Sequence, residues 1–424
     1  MPKIFVFHLI ALIATIISSG FSSTNSGLVL FIFALFCSHL SWTRVYKYQN
    51  TTLNMGQVSS LIIIVILFIF FTQPVWENDF YRYMLDGLHL LSGIEPYFPS
   101  PIESPLKENY PSLIDKVGFP EVPTIYPPLA ISIFSFLVRF SGENATVFLL
   151  LSRISYYIIF YFLMFFLTSK RKLEFRKLIL ITTHPLILVE GITNAHFDLI
   201  LAGISALMLV SPQFMILFFP LAVSIKYTFI TIFPIFLHLK DILIKIKSKI
   251  FYFKIGIIIS LLPLFFGDFN LTVMLKNLSF FAAEWEMNSG IFRFFRWVGS
   301  FYSNHESFTV KFATLISGIS YLLILFLIHS KREQFSIEKK LFLALSSLIL
   351  LAPVCNPWYF LWMLPSAVLL EGKSGEWSRY FFLFAPLYYC NFLTDGLHEK
   401  FFISTLNLQH IWYILCFFKV YRSS

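Results

Sequence analysis

Charge is scarce in this chain: Asp, Glu, Lys and Arg together make up 13% of its 424 residues. With 57% hydrophobic residues and a mean hydropathy of +0.74, too little polar surface remains to clothe a water-soluble domain. Cysteine is scarce as well. Cys37, Cys355, Cys390 and Cys416 lie in or beside apolar stretches and form no Cys-x-x-Cys pair, so they point to neither zinc nor a disulfide framework. Walker loops, Gly-x-Gly-x-x-Gly, His-Glu-x-x-His and low-complexity tracts are all missing. Soluble nucleotide chemistry therefore has no visible seat.

What the chain does have is apolar length. Stretches that suit the hydrocarbon core of a bilayer recur near 4–20, 27–43, 57–75, 147–168, 178–192, 197–210, 213–225, 227–239, 255–267, 308–329, 341–354, 358–370, 379–393 and 402–418. They predict an all-α polytopic membrane protein, a single multi-spanning domain over residues 1–424 with roughly 11–14 transmembrane helices. The 53 Phe and 20 Tyr fit lipid-facing and interfacial surfaces. Residues 1–23, with small residues at Ser18, Ser19 and Gly20, also fit a signal peptide.

The net charge of +9 would suit nucleic acid if it formed one patch, but it does not. Basic residues gather in short connections: Arg44 and Lys47; Lys170, Arg171, Lys172, Arg176 and Lys177; Lys240 to Lys254; Lys331, Arg332, Lys339 and Lys340. That is the positive-inside pattern, and it argues against a nucleic-acid partner. Between residues 74 and 125 the sign reverses, with eight acids against Arg82, Lys107 and Lys116. This loop is expected outside, with the N-terminus inside. For the basic cluster at 170–177 to return to the cytoplasm, 127–140 must be a re-entrant or interfacial helix.

Polar residues concentrate at the outer ends of the apolar segments, where an ionisable group is a functional candidate. The densest group is Trp76-Glu77-Asn78-Asp79-Phe80-Tyr81-Arg82-Tyr83, continuing to Asp86-Gly87. A short helix from about residue 80, ending at Gly93, would place Asp79, Arg82 and Asp86 on one face. The ordinary alternative is an Asp or Asn helix cap with surface ion pairs. Further outward groups are Tyr126-Pro127-Pro128; His184-Pro185 through Glu190 to Asn194-Ala195-His196-Phe197-Asp198; Lys226-Tyr227; Glu284 to Gly290 with Arg293 and Arg296; and Asn356-Pro357-Trp358-Tyr359. Singly each has an ordinary reading as helix start, snorkelling cation or aromatic belt.

Taken in order, over roughly residues 57 to 370, these stretches resemble the polyprenyl-phosphate-sugar-dependent glycosyltransferases of the GT-C superfamily, especially bacterial mannosyltransferase-like members. The resemblance implies a many-helix fold of the cytoplasmic membrane with its active site at the periplasmic or exterior face. It also implies a polyprenyl-phosphate hexose donor, with mannose favoured, and a glycan or glycolipid acceptor. Asp79 matches the superfamily's outer-loop acid. The spelling Glu77-Asn78-Asp79 is Glu-x-Asp, which leaves metal use open; many monophosphate-lipid users in this superfamily need none, so a divalent metal is not favoured.

An inverting transfer needs a carboxylate to take the acceptor's proton, and Asp79 is the candidate base, with Glu77, Arg82 and Asp86 in supporting or orienting roles. The departing phosphate needs cations: Lys226, Arg293, Arg296 and Arg82, with His184 and His196 behind them. Tyr126, Asn194, Asp198, Trp285, Asn288 and Trp358 are candidates for the sugar or acceptor pocket. Two other classes compete, a lipid-linked-sugar transporter or flippase and a non-catalytic accessory subunit. Transporters place coupling charges near the midplane, whereas the polar residues here lie at outer ends.

Overall fold

The computed structural model describes residues 2–20, 25–47, 55–236, 246–331, 333–389 and 398–423. Lys240, Lys245, Arg332 and Cys390 lie outside these residues. Among the described residues the fold is all-helical, and the β-type pairing is one isolated bridge between Met287 and Val354.

Two helices are long and apolar enough to cross a membrane, Ala145–Lys170 and Glu306–Ser330. Their faces show which solvent they meet. On Ala145–Lys170, Phe148, Ser152, Tyr156, Phe160 and Met164 are buried at four-residue spacing, while Ile158, Phe162 and Phe165 stand exposed. On Glu306–Ser330 the buried stripe is Ala313, Ser317, Tyr321, Leu325 and Ile328, and Leu315, Ile319, Leu322 and Phe326 are exposed. Exposed stripes of this kind are stable against lipid and not against water. The side chain of Asn144 starts the first of these helices by accepting from the backbone N–H groups of Thr146 and Val147.

Most of the remaining apolar stretches give shorter or broken helices, whereas Asn25–Lys47 and His398–Arg422 run unbroken for 23 and 25 residues. The segment expected at 178–192 divides into Phe175–Thr182 and a π-helical turn, Ile187–Thr193, because Pro185 interrupts the backbone ladder. The stretch at 358–370 is likewise a tight 3₁₀ turn, Pro357–Met363, followed by Leu364–Leu369. The region 270–305, expected as an outer connection, instead holds two helices, Leu271–Glu284 and Gly290–Ser300. The helix Pro2–Gly20 packs into the fold through Leu12, and His8 Nε2 lies 2.6 Å from the Thr183 hydroxyl.

The acidic stretch at 74–125 carries the expected short helix, Phe80–Leu91, with Gly93 at φ +70° just beyond it. The loop then continues through short helical turns that each begin with a proline, at Pro101, Pro105 and Pro111. Against Phe80–Leu91 packs Pro128–Ser141. At 14 residues this helix is about 21 Å long, too short for a hydrocarbon core of about 30 Å. Gly87 sits at the crossing, where an added Cβ would stand 2.7 Å from the Phe134 carbonyl carbon. Any larger residue there would push the two helices apart and move the start of Phe80–Leu91.

Candidate active site

Asp79 occupies the N-cap position of Phe80–Leu91, but its side chain makes no capping hydrogen bond. The carboxyl is therefore not consumed by the role that the ordinary reading gave it. It lines a polar cavity of about 140 Å³ together with Glu77, Arg82, Tyr126, Lys226 and Trp358. Burial raises the Asp79 carboxyl; Arg82 and Lys226 pull it back down, Asp198 pushes it up, the Tyr83 hydroxyl lowers it as a hydrogen-bond partner, and it settles at about 6. Glu77 is held well above the usual carboxylate range by burial and then by the neighbouring charges of Asp79 and Glu190. Asp79 is thus the member of the pair that ionises more readily.

The expected grouping of Asp79, Arg82 and Asp86 in one space is only partly realised. Asp86 is buried away from the cavity, and the Thr124 hydroxyl donates to its Oδ2 at 2.6 Å. Arg82 lines the cavity but donates to the carbonyls of Val122, Gly118 and Phe119. It fixes the loop that forms the opposite wall. The spacing placed these residues correctly on the helix, but it carried no information about the loop at 118–124 that folds back onto them.

Lys226 is the cation at the cavity's inner edge. Its Nζ donates to Asp198 Oδ1 at 2.7 Å and lies 4.2 Å from the centre of the Tyr359 ring. Asp198 is fully buried and also receives the Trp362 indole N–H at 2.8 Å. The break in the helical path between Pro212–Ile225 and the turn Tyr227–Ile232 lets Lys226 take an extended backbone, at φ −149°, and so point out of both. Trp362 was not singled out in the sequence, since its place within an apolar run gives no sign of a polar partner.

Arg293 and Arg296 do not line the cavity. Both pair with Glu286, and Arg296 also reaches Glu306. Asn288 is a brace, donating to the Cys355 carbonyl at 2.9 Å, while Met287 joins the backbone at Pro353 and Cys355. This latch brings Trp285 and Met287 to the cavity beside Asn356, Trp358 and Tyr359. His184 is elsewhere, against a small hollow with His39 and Arg379. His196 stands behind the wall: it stacks on Trp358 with ring centres 4.0 Å apart, its Nδ1 is 3.1 Å from the Tyr83 hydroxyl, and its Nε2 is 3.7 Å from Glu190. Asn194 links the same layer to the loop, accepting from the Val75 backbone N–H at 2.8 Å and donating to Glu190. Thus His184 and His196, expected near phosphate, and Asn194 and Asn288, expected near sugar, all lie outside the cavity lining.

Backbone strain collects around the site. Of five non-glycine residues at positive φ among the described residues, Trp76, Phe119, Ala195 and Asn288 all adjoin the segments just described. Each such residue costs of order 1–3 kcal/mol and persists only where packing over-determines it. For Trp76 that packing is visible, its ring lying between Phe31 and Tyr389.

A second cavity, of about 380 Å³ and mostly apolar, adjoins the polar one and shares Ile125, Tyr126, Lys226, Phe281 and Tyr359 with it. Fold and site together define a helical membrane protein in which a loop-borne acid and a buried lysine face a polar chamber opening onto an apolar one. Residues 9–240 match the family model described as Alpha-(1->6)-mannopyranosyltransferase, N-terminal domain, and the chain belongs to that family. It is a membrane glycosyltransferase of mannosyl type. Comparison with curated proteins gives no match.

Proposed function

We propose that the protein transfers a mannosyl residue from a polyprenyl-phosphate donor to a hydroxyl of a glycan or glycolipid, with inversion, at the outer face of the cytoplasmic membrane. The observation that carries this reading is the junction at Lys226, where a polar chamber holding Asp79 meets an apolar cavity. A lipid-linked sugar has the same division. Its isoprenoid chain suits the apolar cavity, its phosphate the Lys226 ammonium, and its sugar the space between Asp79 and the aromatic wall of Trp285, Trp358 and Tyr359. In the reaction the acceptor oxygen bonds to the anomeric carbon and its proton passes to Asp79. The bond from that carbon to the phosphate oxygen breaks, and the phosphate leaves with the electron pair. The charge of Lys226 stabilises what develops on that oxygen.

Purified protein incubated with mannosyl, glucosyl and galactosyl polyprenyl phosphates and a membrane extract tests this reading. Transfer from the mannosyl donor is expected, and donors left intact in every mixture would refute it. The same assay gives the pH dependence. Because Asp79 acts as a base and its carboxyl sits at about 6, turnover is expected to fall as pH drops through about 6 and to level off above it. A rate that stays flat down to pH values well below the Asp79 midpoint would assign the proton transfer to another group.

The outward orientation of the loop at 74–125 rests on its acidic sign against the basic connections at 170–177 and 331–340. With single cysteines introduced in a cysteine-free background, an impermeant thiol reagent applied to intact cells is expected to label Ser112→Cys and spare Ser330→Cys. The reverse pattern would move the site to the cytoplasmic face.

A further inference from the structure

A third cavity lies on the other side of the catalytic segment. It has a volume of about 390 Å³ and is formed between the end of the helix Met55–Phe71 and the start of Ala145–Lys170. Its polar lining includes Gln73, Glu77, Asn78, Thr146 and Arg153. Of these, Glu77 alone also lines the chamber that holds Asp79, and the third cavity shares no residue with the apolar one. The chamber is therefore flanked by two separate spaces, one meeting it at Lys226 and the other at Glu77.

Arg153 gives this third space a built floor. The residue is 4% exposed, and its guanidinium donates to the carbonyls of Ile69, Thr72 and Thr193 at 3.2, 2.9 and 2.5 Å. Those bonds tie the last turn of Met55–Phe71 to the layer behind the chamber. Its Nε–H is buried and, among the described residues, has no hydrogen-bond partner. The outer rim is apolar: Phe70 is 53% exposed and belongs to the lining.

We infer that this cavity receives the acceptor, a saccharide carried on a lipid, with its sugar hydroxyls among Gln73, Glu77, Asn78 and Arg153 and its lipid stem along Phe70. The inference rests on the transferase reading given above. Displacement with inversion requires the attacking oxygen to approach the anomeric carbon from the face opposite the departing phosphate. Lys226 and Glu77 both line the chamber, and the third cavity meets it at Glu77 while the apolar one meets it at Lys226, so with phosphate at Lys226 the acceptor is assigned to the Glu77 side. Glu77, which lines both spaces, can hydrogen-bond the acceptor while Asp79 accepts its proton.

The probe is octyl α-mannoside, and a photoreactive diazirine analogue of it, with full-length protein in lipid nanodiscs. Photolabelling of the parent protein is expected within 69–81 or 145–153, and Thr146→Trp, which fills the mouth of the cavity, is expected to suppress it. In the transfer assay Thr146→Trp and Gln73→Ala are expected to raise KM for the mannoside by about tenfold or more, with no matching rise in the donor KM. Labels confined to the apolar cavity, or a donor KM that rises in place of the acceptor KM, would overturn the assignment. A parent protein that binds the mannoside at this cavity yet never cleaves the donor would refute the transferase reading and leave the site standing.

Discussion

The Asp79→Asn variant is expected to transfer sugar about 10²- to 10⁴-fold more slowly than the parent, with donor affinity largely intact. Asn keeps the shape of the side chain and the helix start while removing the group proposed to take the acceptor's proton. The helix Phe80–Leu91 has little to lose, since the Asp79 carboxyl makes no cap bond. Asp86 is the informative comparison, being two turns along the same helix and likewise raised by burial to about 6. Its carboxyl is engaged by Thr124 and does not line the chamber, so Asp86→Asn is expected to affect folding yield more than turnover. Rates measured on folded protein of both variants decide between them. Near-normal turnover in Asp79→Asn beside a folded but inactive Asp86→Asn would transfer the role to Asp86.

The second large effect is expected at Lys226. Removing its charge should cost the stabilisation of the departing phosphate, about 3 to 4 kcal/mol or 10²- to 10³-fold in turnover, and should also weaken donor binding. Lys226→Met alone leaves Asp198 fully buried without its cation, held by the Trp362 indole and by its own backbone N–H, a loss that can unfold a protein for reasons unrelated to catalysis. The double variant Lys226→Met with Asp198→Asn removes both charges together and restores a neutral interior. A folded double variant is expected to be as impaired as folded Lys226→Met. If it bound donor and turned over normally, Lys226 would be a structural partner of Asp198, and the phosphate site would lie elsewhere. Lys226→Arg offers a milder test, since it keeps the charge but exchanges a compact ammonium for a planar fork.

The first candidate cations proposed from sequence illustrate how far local reading extends. Lys226, Arg293 and Arg296 all sit near aromatic residues at outer segment ends and are equivalent on that criterion. The structure separates them by their partners. Arg293 and Arg296 are held by Glu286, seven and ten residues earlier in the chain, whereas Lys226 reaches across to Asp198 and remains part of the chamber wall. The helix containing Arg293 and Arg296 escaped notice for a related reason. Gly290–Ser300 is amphipathic and lacks the continuous apolar run that marks a spanning segment.

The membrane class, the helix from about residue 80 to the glycine at 93, and the short helix after Pro127 were all legible in the chain. Each depends on hydropathy, charge sign or cap residues within a short window, and such signals survive without knowledge of distant contacts. Only the tertiary structure decided which polar groups meet. Asp79 and Asp198 lie more than a hundred residues apart, Asp198 and Trp362 are 164 apart, and Arg153 reaches carbonyls 84, 81 and 40 residues away. Broken helices at Pro185 and Lys226 turn the chain so that these groups converge, and a cavity is a property of that convergence. Nothing in a local stretch records whether a lysine ends in lipid headgroups, on a surface acid, or in the wall of a chamber.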